Sequence, residues 1–243
     1  MPNDMSRAAR SVITAQDGEP PAPRQRPRSP YDHVKNLVLR IFHLQNIRVE
    51  ITGAGNIPLS AGVILAPNHR AYYDMIPVSA PLQLRGDRKP RYLLKKEAFA
   101  TSWVSRLFVE LGGIPVDRSP GKGGESLAVA VQALKDGEVV AVFPQGTIRH
   151  DRDVGELKTG AVRMAADSGA AIVPVGCSGT QKLWTRGKRP RLAGRRVIVH
   201  VVVGEPFRVD SGADVATANA ELRSRLQEVK DRADEAAGDY SGR

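Results

Sequence analysis

The sequence predicts an α/β fold, with one domain built on a mostly parallel or mixed sheet, helices flanking it and an amphipathic helix ahead of it. Short apolar runs rich in Val and Ile alternate with segments of helical period from residue 48 to about 237. Three runs, starting near Gly62, Glu138 and Ala171, are apolar enough to be buried strands. Polar residues able to do chemistry gather where predicted strands end, the place where open α/β sheets bind ligands.

Composition narrows the function. At 243 residues the chain is long enough for one large domain with a substantial core. Its single cysteine, Cys177, rules out an internal disulfide and follows an apolar run, as a small core residue would. The absence of Cys/His clustering argues against a structural metal. A formal charge of +10 calls for an anionic partner. Nucleic acid is disfavoured by an aromatic content of 5% and by the lack of a recognition motif, leaving an anionic membrane surface or phosphorylated small molecules. No apolar run approaches the ~18 residues needed to span a bilayer, and the N-terminus lacks the apolar core of a signal peptide. The expected setting is cytoplasmic, peripheral to the inner face of the cell membrane.

Taken in order, residues 1–30 read as a disordered tail, because the stretch from Gly18 to Pro30 is dominated by Pro and Arg. Residues 31–47 form an amphipathic helix, with Val34, Leu37, Val38, Ile41, Leu44 and Ile47 at helical spacing. It suits either an in-plane membrane position or packing on the core. The main domain spans 48–237, and 238–243 fray. A strand at Arg48–Thr52 precedes the strand Gly62–Ala66, and a helix runs from Asp74 to about Leu84, which Pro81 kinks or ends. A short strand, Arg91–Leu94, leads to Lys95-Lys96-Glu97 and a helical stretch from Phe99 to Leu111. The strand from Gly113 runs into Asp117 and Arg118. Gly121 to Gly124 lacks the spacing and the Lys-Ser/Thr of a phosphate loop. A helix from Glu125 to Lys135, a strand to Phe143, a helix ending near Ser168 and a strand at Ala171–Val175 follow. The basic segment Lys182–Arg196, with Trp184, fits anionic head groups or a solvated loop. A strand Arg196–Val203, containing a structural His200, and a helix over Ala213–Ala237 complete the chain.

His69 and Asp74 lie five residues apart at the first buried strand's exit. On one helix that offset turns through about 140°, so the two meet only with His69 on the turn and Asp74 near the next helix N-terminus. There Asp74 is also a favoured cap. A carboxylate on one ring nitrogen fixes the tautomer and leaves the other nitrogen free to take a hydroxyl proton. The pair alone is within reach of chance; four marked strand exits in one chain lift it above chance.

Those exits resemble the glycerolipid acyltransferase family, the 1-acyl-sn-glycerol-3-phosphate acyltransferases and their relatives. Asn68-His69 with Asp74 is similar to the family's first motif (NHx4D), and Gly113 through Asp117 and Arg118 to its second. Phe143-Pro144-Gln145-Gly146-Thr147 resembles the third, and Ile172 to Gly176 the fourth. Lys95, Lys96 and Glu97, and Lys158 to Gly160, also sit where members carry similar residues. The likeness runs from about Arg48 to Phe207. It departs at the third motif, usually Phe-Pro-Glu-Gly-Thr-Arg: Gln145 replaces the acid, and Ile148 the arginine, with Arg149 one place later.

The resemblance implies transfer of a fatty acyl group from a thioester, acyl-CoA or acyl carrier protein, to a lysophospholipid hydroxyl. The acceptor it favours is 1-acyl-sn-glycerol-3-phosphate. His69 is then the base and Asp74 its orienting acid; no cofactor or metal is called for. Arg118 is the expected phosphate ligand, helped by Lys96, Lys158 and Arg149. Gln145 and Thr147 are expected to meet the acceptor, and backbone N–H groups around Gly146 the developing oxyanion. The altered third motif admits two other readings: a different acceptor, or a peripheral membrane-binding protein with a decayed site.

Overall fold

The computed structural model describes residues 12–15, 30–86, 88–99, 112–117, 124–185, 187, 189 and 196–238. Among them eight strands join one sheet: β1 (Ile13–Ala15), β2 (Ile47–Thr52), β3 (Val63–Pro67), β4 (Pro90–Lys95), β5 (Ile114–Val116), β6 (Val139–Ala141), β7 (Ala171–Ser178) and β8 (Val197–Val203). Their order is β1-β2-β8-β7-β3-β6-β4-β5. Neighbours run parallel except β7 and β8, which are antiparallel with Val175 opposite Val203 and Ser178 opposite His200. The sheet is therefore mixed, as expected.

The central strand β3 pairs with β6 on one side and β7 on the other, so all five of its residues are buried. Its side chains alternate between two cores, Val63 and Leu65 on one face of the sheet and Ile64 and Ala66 on the other. Helices α1 (Pro30–Leu44) and α2 (Met75–Leu84) cover the first face with Leu39, Phe42, Val78 and Leu82. Helices α3 (Gly124–Lys135), α4 (Gly160–Ser168) and α5 (Val215–Ala236) cover the second with Leu134, Met164, Leu222 and Leu226. A strand buried on both faces has no use for polar residues, which is why its sequence reads as one apolar run.

One expectation changes and two open alternatives narrow. Residues 12–15 are not tail: β1 lies parallel to β2, and Val12 and Ile13 are buried in the first core. The β-branched run Val12-Ile13-Thr14 suits an edge strand despite the Pro and Arg around it. Of the two settings open to α1, packing on the core holds for its inner face, where Leu39 and Phe42 join that core. Pro81 does not end α2, which continues to Leu84. The residue that Pro81 would bond one turn back is Pro77, in the first turn, and only one helical bond is lost. The helical stretch expected at 99–111 and most of the basic segment 182–196 lie outside the described residues.

At the C-terminal end of β7, Gly176 is dictated by packing. A Cβ there would lie 2.0 Å from the Val229 carbonyl oxygen of α5, so only glycine lets that helix backbone approach the strand. Because β3, β4, β5, β6 and β7 run the same way, residues 68, 96, 117, 143 and 180 emerge at one end of the sheet.

Candidate active site

The turn after β3 is built around a buried carboxylate. Asp74 immediately precedes α2 but does not cap it; no side-chain cap bond forms. Its carboxylate turns back instead. Oδ2 accepts the backbone N–H of Arg70 at 2.6 Å and of Ala71 at 2.8 Å, and lies 2.9 Å from His69 Nδ1. Oδ1 accepts the hydroxyl of Thr180, beyond β7. Asp74 is fully buried, and these four donors offset the cost of keeping a charge away from water. The five-residue offset thus brings the two side chains together, with the carboxylate folding the turn rather than capping the helix.

His69 is held at every polar backbone atom. Its N–H donates to Gln145 Oε1 at 2.6 Å, and its carbonyl accepts from Arg149 N at 2.8 Å. Next along, the Arg70 carbonyl accepts the Thr185 hydroxyl at 2.6 Å. The imidazole stacks on Phe143, centroids 4.2 Å apart, and Phe143 in turn faces Tyr92 at 6.2 Å. Nε2 has no partner among the described residues, and the side chain is 20% exposed. One nitrogen is fixed and the other is free, the arrangement a general base needs.

Asn68 ties this turn to the neighbouring strand. It is buried, donates to the Cys177 carbonyl at 3.0 Å and accepts the Cys177 N–H at 2.6 Å, extending the β3–β7 ladder with a side chain. Burial pushes the Cys177 thiol well up from its ordinary value, with Asp74 adding to the shift, so it is a core residue and no nucleophile.

The third-motif residues meet this turn in ways the spacing did not foretell. Gln145 is buried, and both ends of its amide are used inside the protein: Oε1 on His69 N and Nε2 on the Val154 carbonyl at 2.9 Å. It braces the histidine with its oxygen and the Val154 loop with its nitrogen. The Gly146 N–H closes the turn onto the Phe143 carbonyl at 3.0 Å, so this donor is not open to an oxyanion. Thr147 is exposed on the same turn. Arg149 folds over Gly155, where a Cβ would lie 2.8 Å from the guanidinium, and stands 4.0 Å from Asp151. Lys158 is exposed, its backbone N–H bound to the Pro144 carbonyl at 2.8 Å.

Lys96 stands 3.7 Å from Asp117, so the exits of β4 and β5 share an exposed ion pair. Arg118, the expected phosphate ligand, lies outside the described residues. Thr180, Thr185 and Arg70 were not singled out by the sequence. Single hydroxyls and a lone arginine carry no pattern until the fold brings them to the turn. Trp184 also comes here, its ring 4.8 Å from Tyr72 and its carbonyl accepting the Tyr72 N–H.

Comparison with known proteins identifies the family. The sequence profile of the acyltransferase family matches residues 48–178, which include β3 to β7 and the whole His69–Asp74 turn. The chain is 29% identical over 199 residues to the 1-acyl-sn-glycerol-3-phosphate acyltransferase of Bacillus subtilis, covering 77% of this chain and 90% of that protein. It is 29% identical over 165 residues to the bovine 1-acyl-sn-glycerol-3-phosphate acyltransferase alpha, covering 65% of this chain and 55% of the bovine one. The crystal structure of the 1-acyl-sn-glycerophosphate (LPA) acyltransferase PlsC from Thermotoga maritima superposes with a TM-score of 0.66 at 25% identity. That match covers 87% of this chain and 81% of the other. With more than half its length matched by the profile, the chain belongs to the acyltransferase family.

Proposed function

We propose that the protein transfers a fatty acyl group from a thioester to the free hydroxyl of 1-acyl-sn-glycerol-3-phosphate, giving phosphatidic acid. The observation that carries this reading is the His69 imidazole, held through Nδ1 by buried Asp74 and open at Nε2. Nε2 takes the acceptor's hydroxyl proton as the oxygen attacks the thioester carbonyl. Asp74 stabilises the imidazolium so formed. Collapse of the tetrahedral intermediate breaks the C–S bond, and the departing thiolate takes the proton from Nε2. The acceptor attacks directly, so no enzyme nucleophile, metal or cofactor enters a step. Acyl-CoA and acyl carrier protein are both suitable donors.

The acceptor phosphate is assigned to Arg118, with Lys96, Lys158 and Arg149 adding positive charge. Exposed Lys158, tied by its backbone to the same turn as Gln145, supports its part in this. The buried Gln145 amide, bonded within the protein at both ends, supports the family's usual acceptor over a different one. The intact His69–Asp74 pair speaks against a decayed site.

A lipid acceptor calls for a membrane surface. Leu37, Ile41 and Leu44 of α1 are 59%, 41% and 83% exposed and recur at i, i+4 and i+7 as one apolar stripe, with exposed Arg40 and His43 beside it. Among the described residues no helix is long and apolar enough to cross a membrane. We assign this stripe to the anionic inner face of the cell membrane, with half-exposed Tyr72 and its neighbour Trp184 at the lipid interface near the site.

The test follows thiol release by the purified full chain from acyl-CoA and from acyl carrier protein. Acceptors are 1-acyl-sn-glycerol-3-phosphate, a neutral monoacylglycerol and lysophosphatidylcholine. Release that depends on the phosphate monoester and yields phosphatidic acid is the expected result. Equal release without any acceptor, or preference for the neutral lipid, contradicts the proposal.

A further inference from the structure

The C-terminal helix α5 lies outside the span matched to the family, yet its polar stripe is turned toward the active-site loops. Arg223, Gln227, Lys230 and Asp234 fall at i, i+4, i+7 and i+11, on one side of a helix whose apolar stripe (Leu222, Leu226, Val229, Ala233) is buried in the second core. Each of the four reaches one of two loops. Arg223 holds both Asp153 oxygens at 3.0 Å. Gln227 clips the same loop at two backbone points: its Oε1 accepts the Val154 N–H at 2.8 Å and its Nε2 donates to the Arg152 carbonyl at 3.0 Å. Lys230, almost wholly buried, also donates to the Arg152 carbonyl and pairs with Asp234 at 2.9 Å. Asp234 in turn pairs with the guanidinium of Arg70, the residue after the catalytic histidine, and Arg70 also meets the hydroxyl of buried Ser178.

Two separate routes therefore lead from one helix face to His69. The first runs from Gln227 to Val154, from the Val154 carbonyl to Gln145 Nε2, and from Gln145 Oε1 to His69 N. The second runs from Lys230 and Asp234 to the side chain of Arg70, whose backbone N–H is bound by Asp74. The two arrive on either side of the imidazole, one at its own N–H and one at the next residue. We propose that α5 sets the position of the catalytic imidazole, with Gln227 and Asp234 as positioning residues that act through Gln145 and Arg70 without touching substrate. This rests on the assignment of His69 as the base. It also accounts for an amide at position 145: a carboxylate accepts the His69 N–H but cannot donate to the Val154 carbonyl, and the first route would break there.

The test compares Gln227→Met and Asp234→Asn, each close to its parent in size, with Val229→Ala, a cavity on the opposite face of the same helix. All are assayed as full chains, well below their melting temperatures, for acyl transfer to 1-acyl-sn-glycerol-3-phosphate, with His69→Ala alongside. Small displacements of a catalytic group cost rate steeply, so both positioning variants are expected to lower kcat about tenfold or more while KM stays within about twofold. Val229→Ala is expected to lower the melting temperature at least as much and leave kcat near the parent's. If His69→Ala is inactive but Gln227→Met and Asp234→Asn keep the parent's kcat, or lose it only as Val229→Ala does, the proposal falls while the base assignment stands. If His69→Ala itself retains activity, the base assignment fails, and this inference with it. Should Asp234→Asn not fold, Gln227→Met, at a half-exposed position, decides the matter alone.

Discussion

His69 is fixed through its backbone as firmly as through its ring, and that shifts attention to the residues that hold its backbone. Gln145 is the sharpest case. Restoring the acid by Gln145→Glu keeps an acceptor for the His69 N–H but sets a carboxylate against the Val154 carbonyl, which loses its donor. A buried polar group stripped of its partner costs about 1–3 kcal/mol, so Gln145→Glu is expected to lose that much in urea unfolding and to lose turnover as well. An equally stable and active variant would mean that the amide's donor end is idle. The sequence marked position 145 as unusual; the structure adds that both ends of its amide bond other parts of the chain. His69 and Asp74 were legible because their offset leaves few ways for them to meet. Thr180 and Arg70 were not, since their roles exist only once β7 and α5 lie beside the turn.

Among the elements, the strands and helices from β2 to α5 were legible because buried parallel strands and amphipathic helices write different periods into the chain. β1 escaped notice: three residues give no period to read, and pairing with β2 decides their conformation. The polar stripe of α5 was also hidden, since a charged helix face ordinarily faces water. The start of α5 offers a measurable check of local physics. Asp214 caps the helix, its carboxylate accepting the Thr217 N–H and hydroxyl at 2.8 Å, and these bonds hold its pKa below the usual carboxylate range. A group with a depressed folded pKa contributes stability above its unfolded value, near about 4, and loses it as pH falls through the folded one. Asp214→Ala should therefore melt earlier than the parent at pH 7 and by a similar margin down to about pH 5, with the gap closing below about pH 4. A gap that stays constant to pH 2 would show that the cap's charge is not what matters.

At the scale of the whole molecule, one parallel set of strands delivers the chemistry to one end of the sheet, and two apolar layers hold that set rigid. Among the described residues, the covered faces leave an apolar stripe outside, on α1. Burying one aliphatic side chain is worth about 1.5–3 kcal/mol, so replacing Leu37, Ile41 and Leu44 together by Ser is expected to abolish most flotation with anionic vesicles while leaving the melting temperature unchanged. Undiminished flotation would move the membrane contact to another surface. The central claim is that His69, oriented by Asp74, removes the acceptor's proton. Its most direct test is the acyl-transfer rate of His69→Ala with 1-acyl-sn-glycerol-3-phosphate. A positioned general base is worth about 10²–10⁴ in rate, so kcat/KM should fall by at least about a hundredfold at an unchanged melting temperature. A variant still within about tenfold of the parent would contradict the account.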